Sequence, residues 1–204
     1  AAAVGPELSY VKVQQGDEIF YLSKGTLHML KGEYQILDEL LGEDMEDWAY
    51  VGPFDELPAQ VRRGAPDKHR VILWDEVGEE EGTGIVHIAP GCGAEDFELG
   101  KEYSLPVIAP LDESGTFVEG FDWLTGLKES QSAQPIFENL NEKGKTYKVE
   151  DYTHRYPVCW RCGEELVFRL VDEWFISMGE QLDKPYEEVT EEEKEKNLRY
   201  QIME

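Results

Sequence analysis

Short alternating runs dominate the first part of the chain. Tyr10-Val11-Lys12-Val13 and Ile19-Phe20-Tyr21-Leu22 flank the polar stretch Gln14-Gln15-Gly16-Asp17, so two strands joined by a hairpin turn are expected. A short helix is expected from Gly25 to Leu30. Tyr34 to Leu41 fits a strand or a helical turn, and periodicity does not decide between them. Pro53, Pro58, Gly64 and Pro66 mark an irregular crossing loop. Arg70-Val71-Ile72-Leu73-Trp74 then reads as a buried strand. Gly84-Ile85-Val86-His87-Ile88 reads as a second, ended by Pro90-Gly91.

From Gly93 the period changes. Phe97, Leu99, Gly100 and Tyr103 interleave with Glu95, Asp96, Glu98, Lys101 and Glu102, which is helical spacing. Leu105-Pro106 stops that helix, and Val107-Ile108-Ala109 is expected to return as a strand. Farther on, Glu129 to Lys143 reads as an amphipathic helix with Ile136, Phe137 and Leu140 on one side and Gly144 as its stop. Thr146 to Val149 and the apolar region Leu166 to Ile176 read as strands. Beyond Gly179 the composition becomes charged, including Glu191-Glu192-Glu193-Lys194-Glu195-Lys196, and a surface helix is expected. The pattern predicts an α+β fold that is β-rich, with a small β-barrel core and peripheral helices. Its domain spans 1–178, with 154–178 a strand-rich return segment and 179–204 a charged helical tail.

Composition narrows the function. The 204 residues are 41% hydrophobic and 11% aromatic, enough for one substantial core. No apolar run approaches the roughly 20 residues that a membrane span needs, so no membrane role is expected. No basic region followed by a long apolar region opens the chain, so no signal peptide is read. Ala1-Ala2-Ala3-Val4-Gly5-Pro6 lacks an initiator Met and reads as the interior of a longer sequence. With 44 acidic and 19 basic residues the formal net charge is -25. A general nucleic-acid binder is thereby disfavoured, since phosphate contacts need clustered Lys and Arg. Three cysteines make no disulfide framework. Cys159-Trp160-Arg161-Cys162 has the spacing of half a tetrahedral zinc site, and even with His154 the ligand set stays short. No bound zinc is therefore expected in this chain, and Cys159 and Cys162 would need ligands from elsewhere to close a site. The cysteine usage points to a cytoplasmic location.

The candidate chemistry lies between Gly82 and Asp96. His87 ends a strand, and Pro90, Gly91 and Gly93 let the backbone turn sharply and approach a ligand. Glu95 and Asp96 follow in the first helical turn, where the helix dipole favours a carboxylate. A His and a carboxylate can thus face one cavity that holds a small amine. Read alone, the same residues fit a helix cap and a structural His equally well. Gly82-Thr83-Gly84 is no phosphate loop, since it lacks the Lys-Ser/Thr ending. Cys92 has no partnered base in sequence and reads as a small packing residue.

The segment resembles the editing-domain signature of the isoleucyl, valyl and leucyl class I aminoacyl-tRNA synthetases. Gly82-Thr83-Gly84, Pro90, Asp96 and Leu105-Pro106 carry the likeness. His87 resembles the isoleucyl branch, where the valyl branch has Lys and the leucyl branch Met. His154-Arg155-Tyr156-Pro157-Val158-Cys159-Trp160-Arg161-Cys162 and Trp174-Phe175-Ile176 are similar to that branch too. The resemblance runs from about Ala1 to Met178. It implies a proofreading domain that hydrolyses mischarged Val-tRNA(Ile), in a full-length enzyme that ligates isoleucine to its tRNA with ATP. Partners would be the 3′ end of charged tRNA(Ile) and its valine moiety, on a monomeric protein.

By the same resemblance Asp96 would hold the α-amino group and His87 would shape the side-chain pocket, as the catalytic pair. Gly82, Thr83, Gly84, Pro90, Gly91 and Glu95 would bind substrate. Such proofreading answers a limit of apolar pockets: one methylene lets this class of enzyme separate isoleucine from valine only about 150-fold. In the family a Thr-rich segment of Thr-Pro-Trp-Thr character lines the pocket ahead of the point where this chain starts. Its absence here implies that the chain carries part of the pocket. The rival readings are a valyl- or leucyl-type editing domain and a non-enzymatic acidic interaction module.

Overall fold

The computed structural model describes residues 1–151, 153 and 155–203. In chain order its strands are β1 (Ala2–Val4), β2 (Ser9–Gln15), β3 (Glu18–Ser23), β4 (Gln35–Leu41), β5 (Val71–Leu73) and β6 (Val86–His87). The α-helices are α1 (Pro58–Arg62), α2 (Ala94–Glu102), α3 (Ala133–Glu142), α4 (Glu191–Glu195) and α5 (Leu198–Gln201). The chain divides into two compact units, Ala1–Leu170 and Val171–Glu204. No helix among the described residues is long and apolar enough to cross a membrane.

The strands form two open three-stranded sheets, β5-β1-β6 and β3-β2-β4. The expected mixed α+β class is present, but the small barrel is not: the described strands do not close on themselves. In the first sheet β1 runs parallel to β5, with Ala3 opposite Ile72, and antiparallel to β6, with Ala2 opposite His87. In the second, the hairpin read from the sequence pairs Tyr10 with Ser23 through Gln15 with Glu18, and Gly16 turns it with φ +60. Tyr34 to Leu41 resolves as a strand, β4, with a register shift against β2 between Lys12 and Val13.

β2 is central, and successive side chains point to opposite faces. Tyr10 packs with Val4, Met45 and Val71, while Val11 and Val13 pack with Leu22. Both faces are therefore buried, which explains an apolar run where a surface strand would alternate. The fully buried Tyr10 hydroxyl accepts the Gly5 N–H at 3.0 Å and donates to the Gly84 carbonyl at 2.7 Å. One hydroxyl thus links β2, the turn after β1 and the approach to β6. Ser23 fastens the same approach, its N–H donating to the Thr83 carbonyl at 2.8 Å and its hydroxyl to the Glu79 carbonyl at 2.7 Å.

α2 begins with Gly93 as its N-cap. It buries Leu99 against Ala3, Ile72, Val77, Ile88 and Leu105. A side chain on Gly100 would meet Pro90 at 2.7 Å, so the helix lies tightly on the bend before it. A satellite cluster of Leu57, Ala59, Phe121 and Leu124 takes Ile136 of α3 and Ile108 at its edge.

Several expectations need correction. Gly84 to Ile88 gives only the two-residue β6. Gly25 to Leu30 is a 3-10 turn, Lys24–Met29, and the crossing loop contains α1 and a 3-10 turn at Pro66–Lys68. Val107-Ile108-Ala109 joins no ladder. Pro106 and Pro110 bracket it, and proline has no N–H to give a ladder. Its carbonyls face the bend instead: a Cβ on Gly91 would lie 1.7 Å from the Ile108 carbonyl oxygen. Thr146 to Val149 is irregular. Tyr147 acts there as an anchor, accepting the Lys31 N–H at 2.6 Å and donating to Gln15 Oε1 at 2.8 Å. Leu166 to Ile176 is no strand either. Trp174, Phe175 and Ile176 are exposed, and among the described residues no ladder pairs with them.

The second unit is not one surface helix. It contains a 3-10 turn, Tyr186–Glu188, with α4 and α5, and it buries Val189 and Tyr200. Thr190 and Glu193 form a reciprocal cap on α4. Lys184, 2.7 Å from Glu193, and the Thr190 bonds hold the Glu193 carboxyl down at about 2.

Candidate functional site

The bend between β6 and α2 is fixed from all sides. Asp96 Oδ1 accepts the Ala89 N–H at 2.7 Å. The Cys92 N–H closes the turn on the Ala89 carbonyl at 2.8 Å. Gly91 sits against Ile108 and Pro90 against Gly100. Gly93 leaves room for the Asp96 carboxylate, since a Cβ there would lie 2.1 Å from Asp96 Oδ2. The sequence places small residues where backbone must touch backbone.

This bend walls a cavity of about 370 Å³. Phe54, Leu57, Ile108, Phe121, Leu124 and Ile136 form its apolar interior; Ala1, His87, Pro90, Gly91, Cys92 and His69 stand around it. Its size and apolar lining with a few polar groups suit a small organic ligand. His87 lines this wall, its ring set against the protein around the cavity. Desolvation by the surrounding protein holds its imidazole below the usual histidine range, and Asp96 opposes that shift. At neutral pH His87 is accordingly uncharged, which suits contact with an aliphatic group.

The structure does not bring Asp96 into the cavity lining with His87. Its carboxylate stands behind the bend and acts through the backbone and through its field. That field opposes the lowering of the His87 imidazole. A positive charge at this edge of the cavity is therefore favoured by Asp96. Of the other expected binding residues, Pro90 and Gly91 line the cavity. Gly82, Thr83, Gly84 and Glu95 do not: Thr83 and Gly84 hold the β3 end and Tyr10, and Glu95 is exposed in the first turn of α2. Gly84 has φ +69 and would place a Cβ 2.2 Å from the Ser23 Cβ, so its glycine is required by packing.

Cys92 borders the cavity, but burial and the nearby Asp96 raise its thiol pKa. A thiol held protonated is a poor nucleophile. Cys159 differs, for N–H groups of Cys162 and Arg161 lower its pKa, as suits a thiolate. No group of three or more metal-binding side chains occurs among the described residues. His154 lies outside the described residues.

A second histidine was not legible in the sequence. His69, just before β5, lines the same cavity and holds Nε2 2.6 Å from Asp55 Oδ1. The pair is separated by 14 positions in the proline-rich crossing loop, and no motif spacing announces it.

No family model matches the chain. It is 39% identical over 195 residues to the isoleucine–tRNA ligase of Pyrococcus horikoshii, covering 90% of this chain and 18% of that one. The isoleucine–tRNA ligase of Methanothermobacter marburgensis is 36% identical over 190 residues, covering 93% and 18%. That of Clostridium acetobutylicum is 37% identical over 186 residues, covering 90% and 17%. The chain thus spans less than a fifth of the length of these curated relatives. Among solved structures, the crystal structure of GlLeuRS-CP1 superposes with a TM-score of 0.50 at 12% identity, covering 74% of this chain and 77% of that one. This second likeness is one of fold.

Proposed function

The chain is homologous, along 90% of its length, to one segment of the isoleucine–tRNA ligases, and from that premise we propose that it is their proofreading segment. The reaction is hydrolysis of the ester that joins valine to tRNA(Ile). In the longer enzyme a separate site joins isoleucine to the tRNA with ATP. The observation that carries this reading is the cavity of about 370 Å³, apolar within and bordered by a neutral His87, with the charge of Asp96 close behind it. An aliphatic side chain would enter the apolar part, His87 would limit its length, and the α-ammonium would lie at the edge that Asp96 favours. Water attacks the ester directly, since Cys92 is held as a thiol and forms no covalent intermediate. The acceptor partner is the 3′ end of the tRNA.

The test separates Asp96's two roles. Asp96→Asn keeps an oxygen for the Ala89 N–H but removes the charge; Asp96→Ala removes both. In the full-length enzyme both should slow Val-tRNA(Ile) hydrolysis by about fivefold or more. A charge that acts through its field rather than in a direct pair contributes about 1 kcal/mol or more, at about 1.4 kcal/mol per tenfold in rate. Aminoacylation should continue. Val-tRNA(Ile) hydrolysis at the normal rate in Asp96→Asn would remove the charge from the mechanism.

A further inference from the structure

His69 borders both the apolar cavity and a second, more polar one of about 430 Å³. Lys68, His69 and Leu105 belong to both walls, and Asp47, Asp67 and Arg70 line the polar one. An aminoacyl ester has the same division: an apolar side chain on one side of the carbonyl, a sugar and phosphate on the other. An ester with its side chain in the first and its sugar and phosphate in the second would carry its carbonyl near His69, which borders both.

The imidazole there is fixed. The His69 and Asp55 side chains are only 16% and 19% exposed. Asp55 Oδ1 faces His69 Nε2 at 2.6 Å, and Asp55 Oδ2 accepts the Gly52 N–H at 2.8 Å. Tyr50 stacks on the ring, 5.0 Å between centroids and 21° between planes. A carboxylate at Nε2 selects the tautomer with its proton there and its lone pair on Nδ1. Among the described residues, protein hydrogen bonds engage Nε2 alone.

We propose that His69 is the general base of the hydrolysis and Asp55 the residue that positions it, an inference that rests on the proofreading reading above. His69 Nδ1 takes a proton from water as the water oxygen bonds to the ester carbonyl carbon. The tetrahedral intermediate collapses by breaking the bond from that carbon to the ribose oxygen, which receives the proton back from His69. Valine and a tRNA with a free hydroxyl leave, and no other reagent is consumed.

The experiment is single-turnover hydrolysis of Val-tRNA(Ile) by the full-length enzyme. General-base catalysis is worth about 10²–10⁴-fold, so His69→Ala should lose at least about 100-fold, and added imidazole should restore part of it. Asp55→Asn, which keeps the packing, should lose about tenfold in maximal rate with the half-saturating tRNA concentration unchanged. Aminoacylation by the same preparations reports whether the remainder is folded. His69→Ala within threefold of wild type overturns the proposal, as does a loss that imidazole leaves untouched alongside a normal Asp55→Asn. Wild-type enzyme that leaves Val-tRNA(Ile) intact strikes instead at the proofreading assignment.

Discussion

At the scale of single residues, two histidines line one cavity in different surroundings. Among the described residues no carboxylate is hydrogen-bonded to His87, and desolvation outweighs the field of Asp96 to favour its neutral form. Its folded pKa lies below the unfolded one, so its contribution to folding is intact at neutral pH and is lost as the pH falls through the ordinary histidine range. A neutral ring beside an apolar wall suits a steric gauge. His87→Ala should then widen the pocket and release hydrolysis of correctly charged Ile-tRNA(Ile). Rejection of one methylene is worth about 1–3 kcal/mol, so the expected rise is about tenfold or more. Deacylation of both charged tRNAs by the full-length enzyme checks this, and Ile-tRNA(Ile) as stable as with wild type would count against the gauge. His87 was legible in the sequence because a strand, a Gly-Pro bend and a helix follow one another without interruption. His69 was not, because its meaning comes from Asp55, and only the folded crossing loop brings the two together.

At the scale of elements, the site depends on how the two sheets are joined. β6 has only two residues and cannot hold its own position by ladder bonds. The Tyr10 hydroxyl and the Ser23 contacts supply what the ladder lacks. Tyr10→Phe leaves the Gly5 N–H and the Gly84 carbonyl without a partner at a fully buried point. A buried group left unsatisfied costs about 1–3 kcal/mol, which for a chain of this size lowers the melting temperature by roughly 2–12 °C. Thermal unfolding followed by circular dichroism measures it, and a variant that melts with wild type would show that water replaces the hydroxyl. The same logic explains which elements the sequence disclosed. The β2-β3 hairpin and α2 carry their own periodicity and their own turn or cap. Val107 to Ala109, Thr146 to Val149 and Leu166 to Ile176 have strand-like composition too, but a strand exists only with a partner, and composition alone does not name one. The barrel failed for the same reason, since closure depends on pairings between distant strands.

At the scale of the whole molecule, charge and function pull apart. The net charge of -25 repels a polyanion, yet the proposed substrate is the end of a tRNA. The two are compatible if this chain grips only the last nucleotides while basic surface elsewhere in the longer enzyme holds the rest. The polar cavity supports that division, for its cations Lys68 and Arg70 are set among Asp47 and Asp67. Two cations can neutralise about two phosphates, and for a single strand each contributes about 0.7 to the slope of log affinity against log salt. The 204-residue chain alone should therefore bind tRNA more weakly than about 10 µM near physiological salt, with a slope no steeper than about -1.4. Fluorescence titration of end-labelled tRNA across a salt series measures both quantities. Submicromolar binding with a steep slope would mean that acidic side chains are arranged to leave a continuous cationic track. On the proposed function, the full-length enzyme, carrying the same cavity, should show the steep slope that the chain alone lacks.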